Sequence, residues 1–474
     1  MFLIALVLFC FALSPAARAV LPAPDGGYAG GNTAEGTNAL FSLTSGIDNS
    51  AVGFQALYRN TVGNYNTAEG FRALFSNTSG TQNTATGVNA LTSNPTGSYN
   101  TANGVNSLNH NTTGDANTAI GTGALYLNTY GFQNTASGFQ ALFHNIAGIY
   151  NTANGGFALC SNTVGIQNTA TGFQALYSNT TGLNNTASGV SALSQNTTGN
   201  ANTANGLFAL FSNTTGFSNT ASGQQALFGN TTGNSNTASG VNALYGNRTG
   251  VNNTANGLFA LLGNTGSSNI ALGAYAGANL TTGDNNIDIG HLGIAGESDT
   301  IRIGILQTRT FIAGIRGVTT RIANTVPVLI DAAGQLGTVS SSRRFKNEIK
   351  PMDQTSESIL ALKPVTFHYK SDATSTPQFG LIAEEVAEVN PDLVVRDADG
   401  EIYTVRYDAV NAMLLNELLK EHQKVEEQDH RLQKQEAIIA KQQQQIDALT
   451  AGLQKVSAQV EMSGSAPQLA VKYQ

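Results

Sequence analysis

The sequence predicts a mainly β protein: a repetitive parallel β-roll or solenoid, followed by a small α+β domain that ends in a long coiled-coil helix. Three observations predict this order. A seventeen-residue unit returns without a slip from Asn32 to Asn253, short strand-like segments follow it, and apolar residues recur every seven positions near the carboxyl terminus. A fixed period this short means that each copy is one coil of an elongated array, stable only through its neighbours. The first part of the chain is therefore expected to form a rod or fibre.

The amino terminus has the pattern of a secretory signal. Met1–Leu13 is nearly all apolar, Ser14-Pro15 interrupts the run, and Ala17-Arg18-Ala19 offers a small-residue cleavage site. We expect residues 1–19 to be removed and the mature chain to be secreted, in the extracellular space or at the cell surface. An N-terminal membrane anchor is the alternative, although the run is short for a bilayer span; no transmembrane segment is expected in the mature chain.

Cysteine content agrees with a chain that needs no covalent cross-links. Cys10 would leave with the signal, and Cys160 would remain alone, so no intrachain disulfide can form. Cys160 occupies a repeat position that is aromatic in the adjacent copies, at Phe143 and Tyr177. It is expected to be a small buried filler.

Each repeat reads Asn-Thr-Ala-x-Gly-x-x-Ala-Leu, an aromatic residue, and then Asn-Thr-x-Gly. Glycine holds the fifth position and leucine the ninth, whereas the fourth varies and is expected to face water. We interpret each unit as two short strands and two turns, with both glycines providing positive φ at the corners. A disordered Asn/Thr/Gly tract is the alternative. Disorder, however, does not require leucine and an aromatic residue at a fixed register.

Sparse charge along the repeats argues against several functions. No lysine occurs from Val20 to Ser340 and the formal net charge is −7, so no nucleic-acid partner is expected. The histidines are scattered, and the Asp284–Asp288 segment lacks the glycine and final glutamate of a calcium loop. We therefore expect neither a metal nor a cofactor. A glycosidase is disfavoured as well, because Glu35 and Glu69 lie at the variable fourth position and do not form a carboxylate pair.

Two variant copies follow the regular repeats after a slip of one residue. Asn269-Ile-Ala-Leu-Gly and Asn286-Ile-Asp-Ile-Gly resemble the short pentads in the head domains of trimeric autotransporter adhesins. The period here is longer than the usual head repeat, so the resemblance concerns architecture. It implies a homotrimeric fibre that contacts a cell-surface or glycan receptor.

The period disappears from His291 to Val339, where short alternating apolar segments predict a β-rich neck. Two motifs follow: Ser340-Ser-Ser-Arg-Arg-Phe-Lys-Asn-Glu-Ile, and Gln378-Phe-Gly-Leu-Ile-Ala-Glu-Glu-Val with a hairpin turn near Asp399-Gly400. Together they resemble the C-terminal intramolecular chaperone of phage endosialidases and other tail spikes, a self-cleaving serine peptidase family. The resemblance covers residues 341 to about 460.

That resemblance implies a catalytic dyad of a serine and a lysine five residues later, here Ser341 as nucleophile and Lys346 as base. The dyad would cut the bond between Ser340 and Ser341, so the chain would be a self-cleaving endopeptidase with no other substrate. A serine hydroxyl needs such a base, and lysine serves when burial leaves it neutral. Family members commonly have an aspartate after the serine; Ser342 stands there, so the nucleophile among the three serines stays open. The alternative is that Ser340–Lys346 is a polar, basic link into a domain that does not cut.

A long helix is predicted from Asp408, which can cap it, to about Glu461. An apolar residue occurs every seven positions, at Leu418, Val425, Leu432, Ile439, Ile446, Leu453 and Val460. This heptad pattern is typical of a coiled-coil seam. The companion core position is polar for four heptads, from Glu421 to Gln442. Such a seam is specified in register but weakly held, as expected of a temporary trimerisation device.

The predicted domains are a signal peptide at 1–19, the repeat β-roll at 20–290, a β-rich neck at 291–340, the α+β chaperone or peptidase domain at 341–407, the coiled-coil helix at 408–461 and a flexible tail at 462–474. The leading hypothesis is a secreted trimeric fibre, adhesin-like, whose C-terminal domain aligns three chains and is released by autoproteolysis. The alternative is a non-cleaving structural or phage-derived tail-fibre protein that binds no receptor.

Overall fold

The computed structural model describes residues 28–313, 315, 325–331, 334–397 and 399–464. The predicted signal peptide, with Cys10, lies outside these residues, as do residues 465–474 of the predicted tail. The chain divides into two compact units, Met1–Phe311 and Ile312–Gln474.

The first unit is a parallel β-solenoid, which confirms the predicted repetitive β-roll. Its single sheet has 17 strands, and each strand pairs in parallel with the next one along the chain. Strands β1 to β17 lie at Thr33–Glu35, Ser50–Val52, Thr67–Glu69, Thr84–Thr86, Thr101–Asn103, Thr118–Ile120, Thr135–Ser137, Thr152–Asn154, Thr169–Thr171, Thr186–Ser188, Thr203–Asn205, Thr220–Ser222, Thr237–Ser239, Thr254–Asn256, Ile270–Leu272, Ile287–Ile289 and Ile301–Ile303. Register follows the repeat, with Ala68 opposite Ala85.

Each coil contributes one strand, and the expectation of two strands was wrong. The reason lies in the second half of the coil, where Arg72 has a φ of 54° and Leu74 a φ of 49°. Positive φ at alternate positions prevents the chain from extending. The backbone groups there still pair between coils, since the Leu74 N–H donates to the Ala90 carbonyl at 2.9 Å. This side of the solenoid is therefore a stack of hydrogen-bonded turns.

The two glycines of each coil serve different purposes. Gly70, at the fifth position, has a φ of 136°, which favours glycine strongly. Gly80, at the fifteenth, lies outside the left-handed region, but a Cβ added there would collide with the Gly97 carbonyl oxygen and the Asn77 side chain. Positive φ therefore explains only the first glycine. Close approach of successive coils explains the second.

The core of the solenoid is narrow and half polar. Its apolar part consists of two alanines and one leucine per coil, such as Ala68, Ala73 and Leu74, all buried. Beside them, the fully buried Asn66 donates from Nδ2 to Asn49 Oδ1 at 3.1 Å, and the same contact repeats from coil to coil. Neighbouring coils thus supply the partners that a buried amide requires.

A second asparagine ladder follows the twelfth position. Asn145 Nδ2 donates to Asn128 Oδ1 at 2.7 Å and to the Gly148 carbonyl at 3.0 Å. In the first coil and in the coil that begins at Asn269 this position is leucine, at Leu43 and Leu280, and both side chains pack on the apolar core. The ladder is therefore closed by apolar residues at its two ends.

The one-residue slip between Asn253 and Asn269 breaks the last rung of this second ladder. Asn247 Oδ1 and Asn264 Nδ2 are buried without a hydrogen-bond partner. The missing residue shortens the turn after Asn264. The side-chain amide of Asn264 therefore makes no hydrogen bond to the side-chain amide of Asn247 in the preceding coil.

The tenth position carries half-buried rings that stack between coils, as Phe211 does on Phe228 with ring centroids 5.3 Å apart. Cys160 takes this position in one coil and is only 5% exposed. Burial raises the pKa of its thiol to about 11, which keeps it protonated and unreactive. The prediction of a small buried filler is confirmed.

The final coil differs from the others because Asp288 stands where every preceding coil has alanine. Its side chain is 1% exposed and Oδ2 has no hydrogen-bond partner. Oδ1 lies 3.6 Å from His291 Nδ1, but that nitrogen accepts the Gly293 N–H at 2.8 Å. Arg302, opposite Asp288 on the next strand, pairs with Glu297 at 2.8 Å. Burial raises the pKa of the Asp288 carboxyl.

Three strands lie in the described part of the predicted neck. Strand β17 continues the solenoid sheet beyond residue 290. Strands β18, Leu329–Ile330, and β19, Leu336–Gly337, form an antiparallel pair. These strands lie within the predicted neck.

The second unit contains short strands, 3-10 segments and two helices. The 3-10 segments lie at Arg343–Phe345, Asp353–Ala361 and Pro391–Leu393; strands β20 to β23 lie at Val365–Phe367, Gln378–Gly380, Val394–Arg396 and Ile402–Val405; helices α1 and α2 lie at Ala383–Val389 and Tyr407–Ser463. Strand β20 pairs with β21 and β22 with β23, each antiparallel. Gly400 lies in the β22–β23 connection with a φ of 86°, so the predicted hairpin is confirmed. A small core joins Ile359, Val386, Leu393, Val405 and Met413.

Helix α2 runs for 57 residues. It begins after Arg406, so Asp408 lies inside the first turn and is not the cap that the sequence predicted. The negative charge of Asp408 in the first turn still interacts favourably with the helix dipole. The seven heptad residues from Leu418 to Val460 are 53–69% exposed in the single chain.

Candidate functional site

The predicted cleavage segment forms a tight turn at the start of the second unit. The Phe345 N–H donates to the Ser342 carbonyl at 3.0 Å, and the Lys346 N–H donates to the Arg343 carbonyl at 3.1 Å. These two bonds close the 3-10 turn at Arg343–Phe345, which shortens the distance between Ser341 and Lys346 along the backbone. The side chain of Lys346 can therefore return to Ser341.

The turn brings the two predicted dyad residues into contact. Lys346 Nζ donates to Ser341 Oγ at 3.2 Å. Ser340 and Ser342 flank this pair in the chain, and Ser342 uses its carbonyl to hold the turn. Of the three serines, Ser341 is the one whose hydroxyl is hydrogen-bonded to the lysine.

The surroundings of the dyad are open and partly aromatic. Ser340, Ser341 and Lys346 are all exposed in the single chain. Phe345 is 61% exposed, and the Arg344 guanidinium lies 4.6 Å from the centre of its ring. An exposed phenylalanine beside a candidate catalytic pair is a surface that another copy of the chain could cover.

A buried polar cluster ties the 3-10 segment after the dyad to the start of helix α2. Ser356 is fully buried; its hydroxyl donates to Glu417 and accepts from Asn416 Nδ2 at 2.7 Å. Lys420 Nζ lies 2.7 Å from Glu417 Oε1. The hydrogen bonds from Lys420 and then from Ser356 lower the pKa of Glu417, so this carboxylate stays ionised.

Sequence reasoning missed this cluster. Ser356 and Glu417 are 61 residues apart, and no motif links them in the sequence. The cluster can be recognised only in the folded chain, where the two segments lie side by side. The cluster fixes the base of the long helix on the domain that contains the dyad.

The described residues contain no group of three or more histidine, cysteine or acidic side chains that could hold a metal ion. None of the helices in this part of the chain combines the length and apolar character needed to cross a membrane. A cleft of about 160 Å³ lies among Leu362, Leu381 and Val386, and neither dyad residue lines it.

Comparison with known families identifies part of the second unit. Residues 341–395 match the peptidase S74 family model, described as the chaperone of endosialidase. The match begins at Ser341 and supports a C-terminal chaperone domain of this type after the solenoid. No curated protein and no solved structure matches the chain.

Proposed function

We propose that this protein is a secreted, trimeric, adhesin-like fibre whose C-terminal chaperone domain aligns three chains and is then released by cleavage between Ser340 and Ser341. The observation that carries the proposal is the hydrogen bond from Lys346 Nζ to Ser341 Oγ at 3.2 Å, inside a segment that matches the chaperone family. A signal-like amino terminus at residues 1–19 supports export.

The proposed reaction uses the protein's own backbone as substrate. Lys346 takes the proton of the Ser341 hydroxyl, and Oγ attacks the carbonyl carbon of Ser340. The C–N bond breaks, the Ser341 nitrogen receives the proton, and an ester links the two residues. Water then hydrolyses the ester, leaving a carboxylate on Ser340 and a free amino group on Ser341.

Assembly would switch this reaction on. A lysine accepts a proton only in its neutral form, and burial favours that form. Because Lys346 is exposed in the single chain, packing of other copies around the dyad would supply the burial. Cleavage would then follow trimerisation, and an unassembled chain would keep its chaperone.

A chaperone suits the energetics of the solenoid. Each coil buries little more than two alanines, one leucine and hydrogen-bonded asparagines, so a single coil has a small hydrophobic core. The coils pair within one chain, between strands close in sequence, so the slow, non-local step is the alignment of three rods. The exposed heptad seam of helix α2 would hold three chains in register while the coils form.

The cleavage step is tested by intact mass spectrometry of the full-length protein beside Ser341→Ala. We expect two fragments that meet at the Ser340–Ser341 bond in the native protein and one uncut chain in the variant. An uncut, trimeric native protein would remove the peptidase and favour the alternative, a non-cleaving structural or tail-fibre protein.

The adhesin part of the proposal rests on the resemblance to adhesin heads and concerns a cell-surface or glycan receptor. The purified rod, residues 20–340, is applied to cells and to a glycan array. Saturable binding to a defined glycan or cell type supports the adhesin, and uniform absence of binding favours the inert fibre.

A further inference from the structure

The sixth position of the repeat forms an exposed apolar row along the solenoid. From Phe54 to Leu258 it carries ten large apolar side chains, each 39–50% exposed. Neighbours in the row support one another, since the rings of Phe54 and Phe71 stack with centroids 5.3 Å apart. Successive strands in a sheet are about 4.8 Å apart, so the row forms a ridge along the rod that is interrupted at Thr122, Gly156 and Gln224.

The sixth-position row is also free of charge. No ionisable residue occupies it from Thr37 to Ala274. Two other outward rows carry charge: the fourth position includes Glu35 and Glu69, and the sixteenth includes Asp115. The tenth position is uncharged and largely aromatic, but most of its rings are half-buried. The second and fourteenth positions are uncharged too, but they are mostly threonine and offer little apolar area.

We infer that the sixth-position row is the face through which the three rods of the fibre pack against one another. The inference rests on the proposed trimer and adds the surface that joins its rods. Copies held parallel and in register around a rotation axis place each residue of the inner face opposite its own copy. A charged inner row would therefore face like charges, at a cost in stability. An uncharged apolar row meets no such penalty.

The available area is sufficient for this purpose. Ten side chains of this size at 39–50% exposure present roughly 800 Å² of apolar surface on each copy. A stable protein interface buries about 800 Å² on each partner. Only Thr122, Gly156 and Gln224 interrupt this stripe, and exposed apolar surface aligned in this way commonly marks an interaction site.

The test compares two phenylalanines of equal exposure in different rows. Phe173 lies in the sixth-position row and Phe217 in the sixteenth, and each is 48% exposed. Each is changed to cysteine in the full chain with Cys10→Ser, Cys160→Ser and Ser341→Ala, so that one free thiol remains and the chaperone stays attached. Serine is expected to be tolerated at residue 160, because Ser194 holds the same repeat position.

Cross-linking by a short bismaleimide is read on denaturing gels, and light scattering gives the oligomeric state. We expect Phe173→Cys to give at least tenfold more covalent dimer than Phe217→Cys. A trimer in which Phe217→Cys cross-links as well or better overturns the row assignment and leaves the proposed trimer standing. A monomer in solution overturns both.

A charge variant provides a second readout. Phe173→Glu is expected to shift the trimer towards monomer at low micromolar concentration, because it places like charges face to face. Phe217→Glu should leave the trimer unchanged. Equal effects of the two glutamates would contradict the assignment, and circular dichroism of both variants shows whether the solenoid itself has formed.

Discussion

Lys346 Nζ and Ser341 Oγ lie 3.2 Å apart across a single 3-10 turn. The two residues are five positions apart in the sequence, so their contact depends on a local hydrogen-bonded turn and not on the distant parts of the domain. The pair can therefore be present before the chaperone has finished its work. In the single chain the side chains of Ser341 and Lys346 are both exposed to solvent.

The identity of the nucleophile can be decided among the three serines. We expect Ser340→Ala and Ser342→Ala to cleave, because only the hydroxyl of Ser341 is bonded to Lys346. Mass spectrometry and N-terminal sequencing should give a released fragment that begins at Ser341 in both variants. A cut displaced by one residue, or blocked by Ser342→Ala alone, would assign the nucleophile to a neighbour.

The role of the lysine is tested by Lys346→Arg. Arginine can still donate to Ser341 Oγ, but its guanidinium is always charged and cannot take a proton. We expect cleavage to fall by at least a hundredfold while the trimer still forms. Native-rate cleavage in this variant would show that Lys346 is not the base.

The asparagine ladders should be major contributors to the stability of the rod. Asn145→Ala leaves Asn128 Oδ1 and one bond of Asn162 Nδ2 without their partner in a fully buried site. Because each orphaned buried group costs about 1–3 kcal/mol, we expect a loss of roughly 3 kcal/mol in the free energy of unfolding. Guanidinium denaturation of the full chain measures it.

Thr181→Ala is the matched control for the ladder, since Thr181 is exposed two coils further along the chain. Surface changes of this kind stay within about 0.5 kcal/mol. If Asn145→Ala lowered the free energy of unfolding no more than this control, the hydrogen bonds between the asparagines would not be a major source of stability.

Two glycines with ordinary φ provide a further contrast. A Cβ at Gly165, in the fifteenth position, would lie 2.6 Å from the Gly182 carbonyl oxygen and 2.8 Å from Asn179 Nδ2, so Gly165→Ala must push two coils apart. At Gly263 a Cβ would meet no atom within 4 Å. We expect Gly165→Ala to lower the melting temperature strongly. Gly263→Ala should be neutral or slightly stabilising; similar melting curves for the two would refute the close-approach explanation.

The buried Asp288 should make the last coil sensitive to pH. Its folded-state pKa is raised above the ordinary value, so the folded coil binds the proton more tightly than the unfolded chain does. Its contribution to stability is thus complete below the unfolded pKa and is lost as pH rises through the folded one. His291, Glu297 and Arg302 are the charged or titratable groups that act on it, and Arg302 is engaged by Glu297.

Asp288→Ala restores the residue found in the preceding coils and should remove this pH dependence. We expect the variant to gain about 1–3 kcal/mol over the native chain at pH 7, where the orphaned carboxylate is most costly, and less at pH 4. Amide exchange across residues 287–303 reports on this coil directly. Equal pH profiles for the two proteins would show that the carboxylate has found a partner.

The sequence by itself determined the solenoid and its register. The serine–lysine dyad, which the resemblance to the chaperone family implies, stays a prediction, although its two side chains are in contact. The solenoid could be predicted because it is repetitive: each coil buries the same positions against its neighbours. The contact between serine and lysine is local, because it spans one turn. The sequence also located the hairpin at Gly400 and the extent of helix α2 to within a few residues, although it placed the cap at Asp408, one position inside the helix.

Only the tertiary structure decided why particular residues recur. It placed the asparagines in buried ladders, showed that Gly80 serves close approach and not positive φ, and replaced the second expected strand by a stack of turns. It also joined Ser356 to Glu417 across 61 residues. Such relationships depend on which atoms face each other across space, and a periodic sequence fixes the spacing of residues without stating what each one touches.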